Sequence, residues 1–203
     1  MPKKNLWWED KEMSAEEREE LLSKIEETAK YNEANYGGCC QSVLSAVQQY
    51  LNLGDGEAFK AASALAGGFA NCGEICGSLT GGMMAIGLAC GREKFEDVKL
   101  VDEWREGMAY PPITEGLIRG GRLVDRFLEK FGSLRCRDIR HIIRGRPLAE
   151  DFRRPTKEYK IEYRKDHYKC GEVTGPAARI AAEIILEPRE SFADEIHAFL
   201  AGR

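Results

Sequence analysis

The residues in this chain best able to do chemistry are its seven cysteines, at positions 39, 40, 72, 76, 90, 136 and 170. A thiolate is both a nucleophile and a soft metal ligand, so such a set supports thiol redox chemistry or metal binding. The first twenty residues, MPKKNLWWEDKEMSAEEREE, carry two lysines with no apolar run behind them, which does not read as a signal peptide. The expected location is therefore the cytoplasm, where a cysteine set is metal-binding or catalytic more often than a disulfide framework. The odd count also fits poorly with purely structural bridges.

Position relative to helix starts narrows the reading. Cys39 and Cys40 are expected to open one helix, Cys76 to lie in the first turn of another, and Cys136 to open a third. A helix N-terminus offers free N–H groups and partial positive charge, which should lower a thiol pKa. Cys40, Cys76, Cys136 and Cys170 are accordingly expected to converge on one thiol or iron–sulfur site. The spacing excludes several specific sites: Cys-x-x-Cys, Cys-x-x-Cys-His and the ferredoxin runs are all absent. One Cys-x3-Cys (Cys72, Cys76), one vicinal pair and three distant cysteines remain, so only the fold can assemble a site. His141 and His167 lie near Cys136 and Cys170 and could complete a mixed sulfur–nitrogen site, though surface or packing roles are the simpler reading. No Ser-His-Asp pattern, phosphate-binding glycine loop or HExxH motif occurs.

The elements that must position these residues read as helices. Ser14 and Glu17 form a capping box, and Leu21, Leu22, Ile25 and Ala29 follow at helical spacing, giving a helix over 14–33. Tyr36-Gly37-Gly38 ends it. Val43, Leu44, Val47, Tyr50 and Leu51 supply one apolar face of the next helix, and 57–66 is a short alanine-rich one. A loop holds Gly67-Gly68 and 71–73, and a helix is expected over 74–90 despite glycines at 77, 81, 82 and 87. Each interior glycine costs about 1 kcal/mol relative to alanine, so either close approach of a cofactor or backbone, or tight helix packing, must offset it. Further helices are expected near 93–108, from Thr114 to Phe131, over 136–143, over 176–186, and from Ser191 onward. Residues 144–157 should be loop and 158–163 a weak strand. The class is all-α: a multi-helix bundle with a glycine-rich central helix and irregular C-terminal loops. Residues 1–13 are expected to be a tail and 14–203 a single domain.

Acidic and basic residues nearly balance in the 203-residue chain, and the net charge of -4 argues against a nucleic-acid surface. The local run Arg135, Arg137, Arg140, Arg144 and Arg146 is expected to be a solvated helix face. No apolar stretch approaches a membrane span.

Two segments resemble one family. The first is an Asn/Gly-Cys-x-Gln-Ser-Val-Leu opening (here Cys40-Gln41-Ser42-Val43-Leu44) and the second is Gly73-Glu74-Ile75-Cys76-Gly77-Ser78-Leu79-Thr80-Gly81-Gly82. The family takes its name from a C_GCAxxG_C_C cysteine pattern and groups redox proteins of undefined substrate. The resemblance extends to Cys136 and Cys170 and covers roughly 31–186. It implies that the shared cysteines are Cys40, Cys76, Cys136 and Cys170, with serine in place of alanine at Ser78. Cys39, Cys72 and Cys90 fall outside the pattern. A similar domain occurs in split-Soret cytochrome c, a dimer carrying haem and an iron–sulfur centre; lacking a haem motif, this chain could share only the iron–sulfur half.

The leading expectation is therefore an iron–sulfur electron-transfer protein, with Cys40, Cys76, Cys136 and Cys170 as ligands and Cys72 as a further one. Gly73 and Gly77 would let backbone approach the cluster, and a redox partner protein and a homodimer are expected. Two alternatives stand beside it: a metal-free thiol–disulfide protein using Cys76 or Cys40 as nucleophile, and a zinc-stabilised or structural helical adaptor.

Overall fold

The computed structural model describes residues 13–94, 112–145, 157–158, 167–192, 194–195 and 198. Among these, seven helices form the molecule and no strand occurs, so the chain is all-α. They are α1 (Ala15–Tyr36), α2 (Cys39–Leu51), α3 (Gly56–Ala61), α4 (Gly77–Cys90), α5 (Pro112–Phe131), α6 (Cys136–Arg144) and α7 (Gly171–Ile185). Short 3-10 turns follow α3, precede α7 and follow α7.

Local chemistry sets most boundaries. The Ser14 hydroxyl accepts from the Glu17 N–H at 3.1 Å while the Glu17 carboxylate accepts from the Ser14 N–H at 2.9 Å, closing the capping box that starts α1. Leu22, Ile25, Ala29 and Glu33 form its buried stripe. On α2 the buried stripe is Cys40, Val43, Leu44, Val47 and Leu51, the helical period of an amphipathic face. α7 packs against α1, α2, α4 and α5 and is buried along most of its length. Its Gly175 lets the α1 backbone come close: a Cβ there would stand 3.0 Å from the Glu26 carbonyl oxygen.

The glycine-rich helix α4 lies between α2, α5 and α7. A Cβ on Gly81 would fall 2.5 Å from the Cys40 carbonyl oxygen, and one on Gly82 2.8 Å from Leu123 Cδ2. Tight helix packing therefore explains these two. Gly87 faces open space, and nothing in the structure requires glycine there.

Several boundaries differ from expectation: the first helix runs on to Tyr36, and the alanine-rich one gives way to a 3-10 turn after Ala61. α4 begins at Gly77, not at Glu74, because Ile75 bridges antiparallel to Arg135 and holds the preceding residues extended. α5 begins at Pro112, so Thr114 lies inside the helix and does not cap it; proline suits a first helical position because its missing N–H has no intrahelical partner there. α7 begins at Gly171, before Pro176, which sits early enough that only the bond to the carbonyl of Glu172 is lost. Ser191 ends in a 3-10 turn with its hydroxyl donating to the Pro188 carbonyl, where a helix cap was expected. The tail at 1–12, the helix expected near 93–108, most of the 144–157 loop and the weak strand at 158–163 lie outside the described residues or nearly so.

The end of the molecule away from α6 is held by buried charge. Arg119 pairs with Glu115 at 3.0 Å, donates to the Ile184 and Glu187 carbonyls, and stacks with Arg122 on the Phe192 ring. Among the described residues, no helix is long and apolar enough to cross a membrane.

Candidate functional site

Four cysteines each stand at the start of a helix. Cys39 is the first residue of α2, Cys76 the N-cap of α4, Cys136 the first residue of α6 and Cys170 the N-cap of α7. The local pairing that brings two of these starts together is explicit. Gly73 to Cys76 runs beside Leu134 to Arg137: the Cys76 N–H donates to the Leu134 carbonyl at 2.8 Å, the Cys136 N–H to Glu74 at 2.5 Å and the Arg137 N–H to Gly73 at 3.0 Å. The first N–H groups of α6, which no helix can satisfy internally, are thus used to dock it against α4. Arg135 and Arg137 both reach the Glu74 carboxylate and brace the joint from outside.

The loop before this joint covers the other side. Gly67, Gly68, Phe69, Ala70 and Asn71 all have positive φ, a left-handed turn of five residues. Three of them are not glycine, and each such residue carries on the order of 1 kcal/mol or more of strain. The Gly67 N–H of this turn favours the Cys39 thiolate. It also packs Gly68 so closely that a Cβ there would meet Glu74 N at 2.6 Å and Cys136 Cβ at 2.8 Å. Gly77 serves the same compactness: a Cβ on it would stand 2.3 Å from the Cys39 sulfur.

The charges of these groups are felt from one to the next. Burial pushes the Cys39 thiol well above its usual range, and Cys76, Glu33 and Cys136 add to the effect. Burial raises Cys76 too, against the N–H groups of Ser78 and Leu79 and the Ser78 hydroxyl, which favour its thiolate. Cys136 is pushed up to about 12 by burial and by Cys76, with Arg140 opposing, and Cys170 to about 11 by burial, with Arg140 opposing and Glu33 adding. The expectation that helix starts would lower these pKa values is corrected: the N–H contribution is present, but removal from water outweighs it.

The vicinal pair divides. Cys40 belongs to the buried stripe of α2, its sulfur 3.8 Å from Met84 Sδ and beside the Thr80 hydroxyl, and burial raises its pKa. Cys39, one residue and about 100° around the helix, is the one turned toward Gly77; both cysteines feel the charge of Cys76, and Cys39 that of Cys136 as well. Cys72 is half-buried on the loop, its carbonyl accepting from Arg137. Cys90 lies at the far end of α4, donating to the Ile86 carbonyl, with burial pushing it to about 12. Gly73 has φ +73 and packs under the Arg137 side chain. His141 is exposed, and the side chains of His167 and His197 are outside the described residues.

Two charged residues at the site escaped the sequence reading. Glu33 is 3 % exposed and accepts from the Ser42 hydroxyl at 3.3 Å. Arg140 is also 3 % exposed, which corrects the reading of the arginine run as a wholly solvated face. Periodicity carried both signals: Glu33 continues the Leu22, Ile25, Ala29 stripe, and Arg140 lies one turn beyond Cys136.

Among the described residues, no group of three His, Cys, Asp or Glu side chains is close enough to hold a single metal ion. The donor chemistry nonetheless fits a sulfur-ligated, multi-atom group: four free thiols stand at four helix starts, and backbone N–H groups favour the thiolates of Cys39 and Cys76.

An all-α protein with free cysteines at four of its helix starts is a cysteine-based redox protein in class. The chain belongs to the family described as "Putative redox-active protein (C_GCAxxG_C_C)", whose family model matches residues 38–184. No curated protein and no solved structure matches the chain.

Proposed function

We propose that this redox protein holds an iron–sulfur cluster on Cys39, Cys76, Cys136 and Cys170 and works in one-electron transfer. The observation that carries the reading is that four free thiols stand at four helix starts and that their charges are felt from one to the next. A bound cluster would supply reversible one-electron chemistry at low reorganisation. The chain's own part is to bind and tune: the Gly67 N–H favours the Cys39 thiolate, and the Ser78 and Leu79 N–H groups favour that of Cys76. Cys40, Cys72 and the glycines Gly73 and Gly77 then support the site from its edges. A cytoplasmic setting agrees with seven unbridged cysteines. The partner in this reading is a one-electron redox protein, with a second copy of the chain as the other expected neighbour.

Protein purified without oxygen should be brown and contain iron and acid-labile sulfide in fixed ratio to the chain. Colourless protein free of both under those conditions overturns the reading. Loss of two thiols per reversible oxidation cycle in that colourless protein would favour the thiol–disulfide alternative instead.

A further inference from the structure

The left-handed turn beside the starts of α4 and α6 holds an aromatic ring that the fold itself does not call for. Phe69 has φ +58, a conformation that glycine adopts without strain, and its side chain is 41 % exposed and outside the hydrophobic core. It therefore eases neither the backbone nor the packing. Ala70 and Asn71, also at positive φ, are exposed beside it. Strain kept in a segment that leaves a large apolar side chain in water points to a role outside the chain.

The turn is also a thin cover over the cysteines. An added Cβ on Gly68 would meet Cys136 Cβ at 2.8 Å, so a single glycine lies between the exposed ring and a proposed ligand. Arg137 continues the same surface: its Nη2 donates to the Cys72 carbonyl at 2.9 Å, and the Cys72 N–H donates to the Phe69 carbonyl at 2.9 Å. Arg135 and Arg137, 47 % and 48 % exposed, share the one carboxylate of Glu74. Residues 58–91 hold no other acid, and Asp138, the one acid among the arginines of 134–146, accepts from the Ser133 hydroxyl. Two guanidiniums against one carboxylate leave positive charge at this surface, on a chain whose net charge is -4.

We propose that the turn at 67–71, together with Arg135 and Arg137, is the docking surface for an acidic one-electron carrier protein, with Phe69 as the apolar anchor and the two arginines as the charged contacts. This names the partner of the iron–sulfur reading above and rests on it. Electron transfer weakens steeply with distance, so a partner gains by docking where one residue covers a ligand. Aromatic and arginine side chains are the types that anchor interfaces, and complementary charge sets orientation and encounter rate.

The test titrates the full chain, purified without oxygen, with an acidic [2Fe–2S] ferredoxin and reads Kd by calorimetry; basic cytochrome c is the opposite-charge control. The ferredoxin should bind at about 20 mM salt and about tenfold more weakly at about 200 mM, and the cytochrome should not bind. R135Q/R137Q should weaken ferredoxin binding about tenfold, R135K/R137K should keep most of it, and E74Q, which removes the acid of the patch, should tighten it. F69G relieves the positive φ and should weaken binding about threefold with no loss of melting temperature, a split that a merely structural role would not give. If R135Q/R137Q does not fold, E74Q and F69G carry the comparison. Ferredoxin binding that is absent or unmoved by the variants overturns the proposal, as does a preference for cytochrome c. Self-association that E74Q and F69G alter, without ferredoxin binding, would give the surface to a second copy and also overturn it. Iron-free protein that binds ferredoxin through Arg135 and Arg137 would sink the cluster reading and leave the docking surface standing. Iron-loaded protein that fails to bind sinks the surface alone.

Discussion

Cys39 and Cys40 are adjacent, equal in chemistry and opposite in consequence. Cys40 fills a fully buried position on the core stripe of α2, while Cys39 meets the α4 start at Gly77. C40A should therefore destabilise the fold by about 1 kcal/mol, the scale of one lost buried group, and leave iron content near wild type. C39A should do the reverse, cutting iron content by more than half with little change in the urea midpoint. Iron analysis and denaturation on the same preparations decide it, and equal iron loss in both would show that the pair acts as one ligand source. The core role of Cys40 was legible, because Val43, Leu44, Val47 and Leu51 define a face that position 40 completes. The family pattern pointed to Cys40, and helical phase points to Cys39.

At the scale of elements, α4 separates two uses of glycine that its sequence cannot. Gly81 lies against the Cys40 carbonyl and Gly87 faces open space, yet both interrupt the same helix. G87A should stabilise the protein by about 0.5–1 kcal/mol, the ordinary helix-propensity gain of alanine. G81A should destabilise it by about 2 kcal/mol or more, because a Cβ 2.5 Å from backbone oxygen forces α2 and α4 apart. Thermal or urea melts of both variants check this; equal and positive effects would mean that the α2–α4 contact can relax. Helix existence was read well from capping and period, as Ser14 with Glu17 and the α2 stripe show. The starts of α4 and α7 were not, because long-range contacts decide them. Ile75 is drawn out of helix by Arg135, sixty residues away in the chain, and no local signal announces that partner. The left-handed turn at 67–71 was also invisible: glycines at 67 and 68 suggest a loop, but nothing in Phe69 or Ala70 indicates positive φ.

For the whole molecule, burying thiols at both ends of the bundle ties its stability to pH. Cys136 and Cys90 are pushed up to about 12 and Cys170 to about 11, all from an ordinary value near 9.0, and in each case burial is the first cause. The sign follows from which state holds the proton more tightly. Below about pH 9 folded and unfolded chains both keep these protons, so the full stability is present. Above it the unfolded chain releases them first, and stability is lost as pH climbs toward the folded-state values. The loss is at most about 1.4 kcal/mol per thiol for each pH unit in that window. Metal-free protein should therefore show urea midpoints that are flat to about pH 9 and fall steeply toward about pH 11. Cys90 gives the control, since it lies away from the four-cysteine site: C90A should start lower but fall with a shallower slope. A wild-type midpoint that stays flat through the window, or a C90A slope equal to wild type, would mean that water reaches these sulfurs. A cluster changes the balance at one end only, because the four site thiols are then already deprotonated in the folded state. The loaded protein should retain just the Cys90 and Cys40 shares of the alkaline slope, so the difference between loaded and metal-free slopes reads how many buried thiols the cluster engages.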